Sequence, residues 1–337
     1  VECGKGWLSL AHAEHGGTSI MRAVGLMVHG GPDVLQVVDV PDVQAGRGQV
    51  RLRVHAAAVN PTDAMARNGS RAEAQKKDPP PYVPGMDAAG VVDQVGEGVT
   101  TGVKVGDRVM AMICPDGTHG AYREQIVLDQ RAVVAAPAET SHIEACTLPM
   151  NSLTARLSLN NLGLTPGQTL AVTGGPGAYG GYVIQLAKTE GLIVIADAAT
   201  KDEALLKQLG ADIIIPRSDD FAGAVRHHFP NGVDGLADGA LLNEQAIPAV
   251  KDDGAFTSIR GFKPEDDVRG IKFTQTWVRT YDGEYEKLDQ LRQLTDTGKL
   301  TLRVAGTVAP KDAAMAHAAL EAGGSRGRWV IVFDERK

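Results

Sequence analysis

Between Thr169 and Lys188 an apolar run, a glycine-rich turn and a helix-like segment follow one another without a break. Thr169-Leu170-Ala171-Val172-Thr173 is short and β-prone, and Gly174-Gly175-Pro176-Gly177-Ala178-Tyr179-Gly180-Gly181 leads into Tyr182-Val183-Ile184-Gln185-Leu186-Ala187-Lys188. Gly174, Gly177 and Gly180 fall at i, i+3 and i+6, a G-x-x-G-x-x-G pattern in place of the strict G-x-G-x-x-G. Both patterns serve the same physical need: a tight strand-to-helix turn, close backbone approach to a pyrophosphate, and a helix N-terminus aimed at the anion. The turn therefore implies a dinucleotide site formed by Gly174, Gly177, Ala178, Tyr179 and Gly180.

The surrounding chain supports a parallel sheet. Leu192–Asp197, Ile213–Ile215, Val233–Ala237 and Ala255–Ile259 read as strands, while Asp202–Leu209, Phe221–Phe229 and Asn243–Val250 read as helices. Strands alternating with helices imply a sheet covered on both faces. Upstream, from Met21 to about Ala136, the text is that of short strands and turns. Val34–Val40 and Gln49–Ala56 alternate with period two. Residues 67–84 form a polar, Pro-rich loop of the kind that often carries function. With 337 residues the chain suits two domains, and the active site is expected in the cleft between them.

A net charge of −7 and only 4% aromatic residues argue against nucleic acid or an anionic membrane as the partner. No apolar run reaches the roughly 18 residues of a membrane span. Cys3, Cys114 and Cys146 are too few and too scattered for a disulfide framework or a four-cysteine zinc site. Cys114 and Cys146 sit in apolar text and read as packing residues. The adjacent His227-His228 lies in a helix-like segment, where neighbours point apart, so both read as solvated. These features place the protein in the cytoplasm with a small-molecule partner. Residues 1–20 show neither periodicity nor a signal-peptide core and read as an N-terminal extension, disordered or vector-derived.

Gly85-Met86-Asp87-Ala88-Ala89-Gly90-Val91-Val92-Asp93-Gln94-Val95-Gly96 with Val105-Gly106-Asp107-Arg108-Val109 resembles the signature of the medium-chain dehydrogenase/reductase superfamily. Ala57-Ala58-Val59-Asn60-Pro61-Thr62-Asp63 resembles its zinc-independent quinone oxidoreductase branch, and ordered matches continue to Gly327-Arg328-Trp329-Val330. The resemblance implies an α/β protein: a GroES-like β-rich catalytic domain (21–146 and 295–337) and a Rossmann doubly wound parallel sheet (147–294). It also implies a homodimer joined through the edges of the cofactor-domain sheets. Where the zinc-dependent branch carries ligand Cys and His, this chain reads Asn60-Pro61-Thr62-Asp63 and Gly85-Met86-Asp87. No metal is expected.

On the same resemblance, Asn60 and Thr154 contact the cofactor or line the cleft, and Ile259 and Phe273 lie near the cofactor; Tyr82, at the lip of the Pro-rich loop, is a candidate donor to the substrate. The adenosine end stays open. Asp197 ends its strand 23 residues after Gly174, near where an acid holds the ribose 2′-OH of NAD. Thr200-Lys201 falls where quinone oxidoreductases bind a 2′-phosphate. NADP(H) is favoured over NAD(H). The implied chemistry is hydride transfer to an electrophilic, conjugated acceptor such as a quinone or α,β-unsaturated carbonyl. An enoyl-thioester reductase, with Arg67, Arg71, Lys76 and Lys77 as a basic groove, and a non-catalytic NADPH-binding sensor or structural protein are the alternatives.

Overall fold

The computed structural model describes residues 19–75 and 78–333; the extension read at 1–20 falls almost wholly outside them, as do Lys76 and Lys77. The chain opens with β1 (Ile20–Gly25), β2 (Gln36–Pro41) and β3 (Gln49–Ala58), then α1 (Pro61–Arg67) and α2 (Ala72–Gln75). Next come β4 (Asp87–Val95), β5 (Arg108–Met112), β6 (Gln125–Asp129) and β7 (Val133–Ala135), followed by α3 (His142–Ala145) and α4 (Pro149–Leu162). The alternating half runs β8 (Thr169–Thr173), α5 (Ala178–Thr189), β9 (Ile193–Ala198), α6 (Glu203–Leu209), β10 (Ile213–Pro216), α7 (Phe221–His228), β11 (Val233–Asp238), β12 (Val250–Ser258), β13 (Lys272–Gln275) and α8 (Tyr285–Asp296). The chain then returns through β14 (Val304–Val308), α9 (Ala313–Ala322) and β15 (Arg328–Val332).

Six strands form a parallel sheet in the order β10-β9-β8-β11-β12-β13. The order reverses between β8 and β11, and an open α/β sheet binds ligands at such a switch point, outside the carboxyl ends of its strands. β8 is wholly apolar apart from its threonine ends because both faces are covered; Leu170, Ala171 and Val172 are fully buried. A second sheet, β14-β15-β3-β4-β5-β7 with β6 also on β3, contains the return strands, β15 lying antiparallel to β3. In β3 the buried Val50, Leu52 and Val54 alternate, then Ala56, Ala57 and Ala58 are buried in succession where both faces are covered. One hydrophobic core passes from Ala56 and Met110 through Leu153 of α4 to Leu170 and Tyr182, so the two sheets flank a shared helix layer.

Two local expectations are corrected. Asn243–Val250 is not an α-helix but two 3₁₀ turns, Asn243–Gln245 and Ile247–Ala249. Pro248 lacks the N–H that a continuing helix needs, and Asn243 takes a positive φ of 52°. Val34 lies in a 3₁₀ turn opened by Pro32, so the strand there starts at Gln36.

Candidate active site

The glycine turn is built as its spacing requires. Gly174 has φ +68°, and a Cβ on it would press on the Ala240 backbone at 3.2 Å. On Gly180 a Cβ would lie 2.4 Å from the Gly174 carbonyl oxygen, so helix α5 approaches the turn more closely than any side chain allows. Gly177 caps α5 in an extended conformation. Arg303, from the segment before β14, donates to the Pro176 and Gly177 carbonyls at 2.9 and 2.8 Å and clamps the turn from behind. Across the switch point, Thr173 Oγ1 donates to the fully buried Asp238 at 2.6 Å and accepts from Ala240 N–H. Asp238 also takes the Leu242 and Asn243 N–H groups, tying the ends of β8 and β11 together.

These parts edge a cleft of about 630 Å³ lined by the five turn residues named above, Asp197, Ile259 and, from the return segment, Gly323 to Arg328. A dinucleotide fits it on two observations. The glycines leave room that a Cβ would fill, and the buried Arg328 has an Nη1 with no partner among the described residues. A buried guanidinium N–H without an acceptor is costly, so an acceptor supplied by a ligand would relieve it.

The adenosine end differs from the sequence reading. Asp197 lines the cleft and accepts from Gly174 N–H, but its other oxygen is held by the Arg217 guanidinium at 2.8 Å. Thr200 and Lys201 are not among the lining residues: both are exposed on a 3₁₀ turn. Besides Arg328, the cations that line the cleft are Arg217 and Arg326, the latter holding Asp202 at 2.6 Å and drawing that carboxyl below its usual range. Sequence reasoning missed both, since each arrives from a different loop. The only hint was an arginine directly after strand β10.

At its other end the cleft continues into an inner pocket of about 100 Å³. Its walls are Met86, Met150, Ile259 and Trp277, with the ring of Tyr179 between pocket and cleft. Thr154 lines it, yet its hydroxyl hydrogen is spent on the Met150 carbonyl at 2.6 Å. Asn151, one helical turn earlier on α4 and therefore on the same face, lines both spaces. A chain of hydroxyls backs the pocket: Tyr179 OH donates to Ser158 at 2.8 Å, Ser158 meets Thr276 at 3.1 Å, and Thr276 meets Thr257 at 2.9 Å. Thr276, between Ser158 and Thr257, brings this chain to the pocket wall. Burial pushes the Tyr179 phenol well above its ordinary range, so it stays protonated.

Asn60 is not at the pocket surface. It is fully buried, donates to Asp87 at 2.8 Å and accepts from Arg328 and Asn151. Both polar atoms of its amide have protein partners, and through them Asn60 holds Asn151 and Arg328. The same network holds Asp63, which accepts from Asn60 N–H at 2.8 Å, Gly85 N–H at 3.1 Å and Tyr122 OH at 3.0 Å. Burial outweighs these bonds and pushes the Asp63 carboxyl up to about 7. Asp87 is also raised by burial, with Arg328 opposing.

Two further candidates lie elsewhere. Tyr82 lines neither space; its hydroxyl donates to the Asp78 carbonyl at 3.1 Å and its ring stacks on His29. Phe273, on edge strand β13, packs against Phe256 and Phe262 on the far side of the sheet's end. Cys146 is buried as expected, whereas Cys114 is half-buried at an outer chamber, with its thiol pushed up to about 11 chiefly by burial. His227 and His228 are exposed. Among the described residues no three His, Cys, Asp or Glu side chains gather where they could hold a metal ion. Nor is any described helix long and apolar enough to cross a membrane.

Comparison with known proteins places this geometry among dehydrogenases. Residues 46–138 match the alcohol dehydrogenase GroES-like domain, and residues 209–331 match the domain described as zinc-binding dehydrogenase. A 2-methylene-furan-3-one reductase of Solanum lycopersicum is 34% identical over 292 residues, covering 84% of this chain and 71% of the relative. An NADPH-dependent alkenal/one oxidoreductase, chloroplastic, of Arabidopsis thaliana is 31% identical over 251 residues, covering 72% of this chain and 63% of its own length. Among solved structures, an NAD-dependent alcohol dehydrogenase superposes with TM-score 0.82 at 29% identity, covering 93% of this chain and all of the other. A mycobacterial quinone oxidoreductase does so with TM-score 0.77 at 28% identity and the same coverage.

Proposed function

The chain belongs to the quinone oxidoreductase branch of the medium-chain dehydrogenase/reductase superfamily, and from that premise we propose that it reduces a quinone or an α,β-unsaturated carbonyl with NADPH and without a metal ion. The observation that carries this reading is the continuity of the glycine-turn cleft with a small apolar pocket through the shared residues Pro61, Asn151, Tyr179 and Ile259. When bound, the nicotinamide supplies the hydride.

This chain's own residues then have separable tasks. The turn and the α5 N-terminus hold the pyrophosphate. Asn151, oriented by Asn60, and Thr154 steady the ring end of the cleft. Met86, Met150 and Trp277 keep the reacting carbons dry. A conjugated acceptor develops negative charge on its carbonyl or quinone oxygen, and one hydrogen-bond donor there lowers the barrier. Thr276 suits that role because its place in the hydroxyl chain allows its proton to point either way. No Lewis acid is required for an acceptor already activated by conjugation. The preference for NADPH rests on Arg217 and Arg326 at the adenosine end and on the name of the Arabidopsis relative.

Loss of reduced-nicotinamide absorbance, measured with a chelator present, tests the reading against 1,4-benzoquinone and 2-alkenals. Turnover with NADPH is expected. Tight NADPH binding with no turnover of either acceptor would overturn it and favour a non-catalytic cofactor-binding role. A homodimer belongs to the same proposal: β13 ends the parallel sheet and offers its outer edge to a second copy. Light scattering should give twice the chain mass. A cytoplasmic setting rests on cysteine usage alone, and fractionation of the source cells tests it.

A further inference from the structure

The inner pocket opens through a neck into an outer chamber of about 710 Å³, and Thr62, Arg71, Met86 and Arg279 line both spaces. Arg260 lines the inner side of the same neck. We propose that the acceptor carries an anionic group, a carboxylate or phosphate, which Arg71 and Arg279 hold at this neck while the conjugated end lies in the apolar pocket. This deepens the reductase reading and rests on it.

Two arginines at the adenosine end of the cleft are paired: Arg217 holds Asp197 and Arg326 holds Asp202. Those at the neck are not. Among the described residues the half-buried Arg71 guanidinium makes no hydrogen bond or ion pair, nor does the Arg260 side chain, and Arg279 has only the Pro115 carbonyl at 3.3 Å. A shortage of acids does not explain this, because the chain carries 41 Asp and Glu against 34 Lys and Arg. The acids that do face the chamber are engaged. Asp63 accepts three hydrogen bonds inside the network described above, and Glu73 and Asp116 have interactions of their own. Asp282 lies beside the Cys114 thiol.

Burial first, then the neighbouring Arg279 and Arg260, lower the Arg71 pKa from its ordinary value. Three cations are thus gathered at one opening, and among the described residues no carboxylate forms an ion pair with Arg71, Arg260 or Arg279. A guanidinium fork answers a carboxylate or phosphate with two parallel charge-assisted bonds, and a partly desolvated one does so more strongly. The inner pocket, small and apolar, has no room for the anion itself. The charge must lie at the neck and the electrophilic carbons beyond it.

Matched acceptor pairs test this with the full chain. (E)-4-oxopent-2-enoate is compared with its methyl ester, and crotonyl-coenzyme A with crotonyl-N-acetylcysteamine, which lacks the phosphates. In one pair or the other the anionic member should show kcat/KM roughly tenfold above the neutral one, carried mainly by KM. The responding pair tells carboxylate from phosphate. R71Q should collapse that ratio to about twofold or less, R71K should restore part of it, and R279Q should narrow it, as should added salt. Ratios near one for both pairs, or a ratio unmoved by R71Q, would overturn the proposal. If nothing is reduced by either nicotinamide, the reductase reading fails by itself. The anion site is then decided by titrating 4-oxopentanoate and its methyl ester into the NADP⁺-loaded protein. Tighter acid binding that R71Q removes would uphold the site, and equal binding would overturn it.

Discussion

The two ends of the cleft are made of different material. The pyrophosphate end is backbone: glycines at fixed spacing, a helix N-terminus and the carbonyls that Arg303 clamps. The acceptor end is side chain, drawn from α1, α4, the end of β12 and the residues after β13. Backbone geometry is written locally, over some 20 residues, whereas the acceptor pocket is assembled from positions more than 200 residues apart, Thr62 and Trp277 among them. Between the two ends lies a buried ionic network that holds Asn60 and Arg328 where both domains meet. Changes in these three places should therefore fail in different ways.

The largest effect is expected at the network. Arg328→Met removes the cation beside the fully buried Asp87, and breaking a buried pair in this way costs about 3–5 kcal/mol. Chemical denaturation would read it, and a loss below about 1 kcal/mol would mean that Asp87 is protonated and needs no partner. At the pyrophosphate end, Gly180→Ala forces a Cβ against the Gly174 carbonyl and should cost about 1–3 kcal/mol, with a severe loss of NADPH binding by fluorescence titration. Unaltered binding would show that the turn has slack and that the comparison of rigid and assembled ends is overdrawn. At the adenosine end, Arg217→Ala should weaken NADPH roughly tenfold while leaving NADH unharmed, because it removes a cation and frees Asp197 for a ribose hydroxyl. An equal loss for both would return the 2′-phosphate to Lys201 or deny it a site.

The most gradual effect is a slope with pH. The Asp63 carboxyl is raised by burial from 3.8 to about 7, so the folded protein keeps a proton that the unfolded chain releases. Stability from this group is therefore greatest below about pH 4 and is lost as pH rises towards 7, by at most about 1.4 kcal/mol per pH unit. Asp63→Asn should flatten that part of the stability profile. An identical slope in wild type and variant would assign the titration to Asp87.

How much could be seen beforehand follows the same division. The turn was legible because each glycine answers to a contact within its own loop or the next strand end. Ile259 and Thr154, named on the family resemblance, line the pocket. Asn60 was found but misassigned, since its amide is consumed by Asp87, Arg328 and Asn151, partners 27, 268 and 91 residues away. Tyr82 was chosen for its place beside a Pro-rich loop, and the Asp78 carbonyl and His29 ring take it out of play. Phe273 sits on the strand expected for it, but the aromatic cluster with Phe256 and Phe262 turns it away from the cleft.

The sequence by itself determined the alternating strands and helices of the parallel sheet and the glycine cradle, because strand period, helix period and turn chemistry act over one or two turns of chain. Only the tertiary structure decided which charges meet: Arg217 with Asp197, Arg328 with Asp87, and three arginines at the mouth of the pocket that form no ion pair among the described residues. Coulomb forces and desolvation depend on distance through space. Distance along the chain carries almost no record of it.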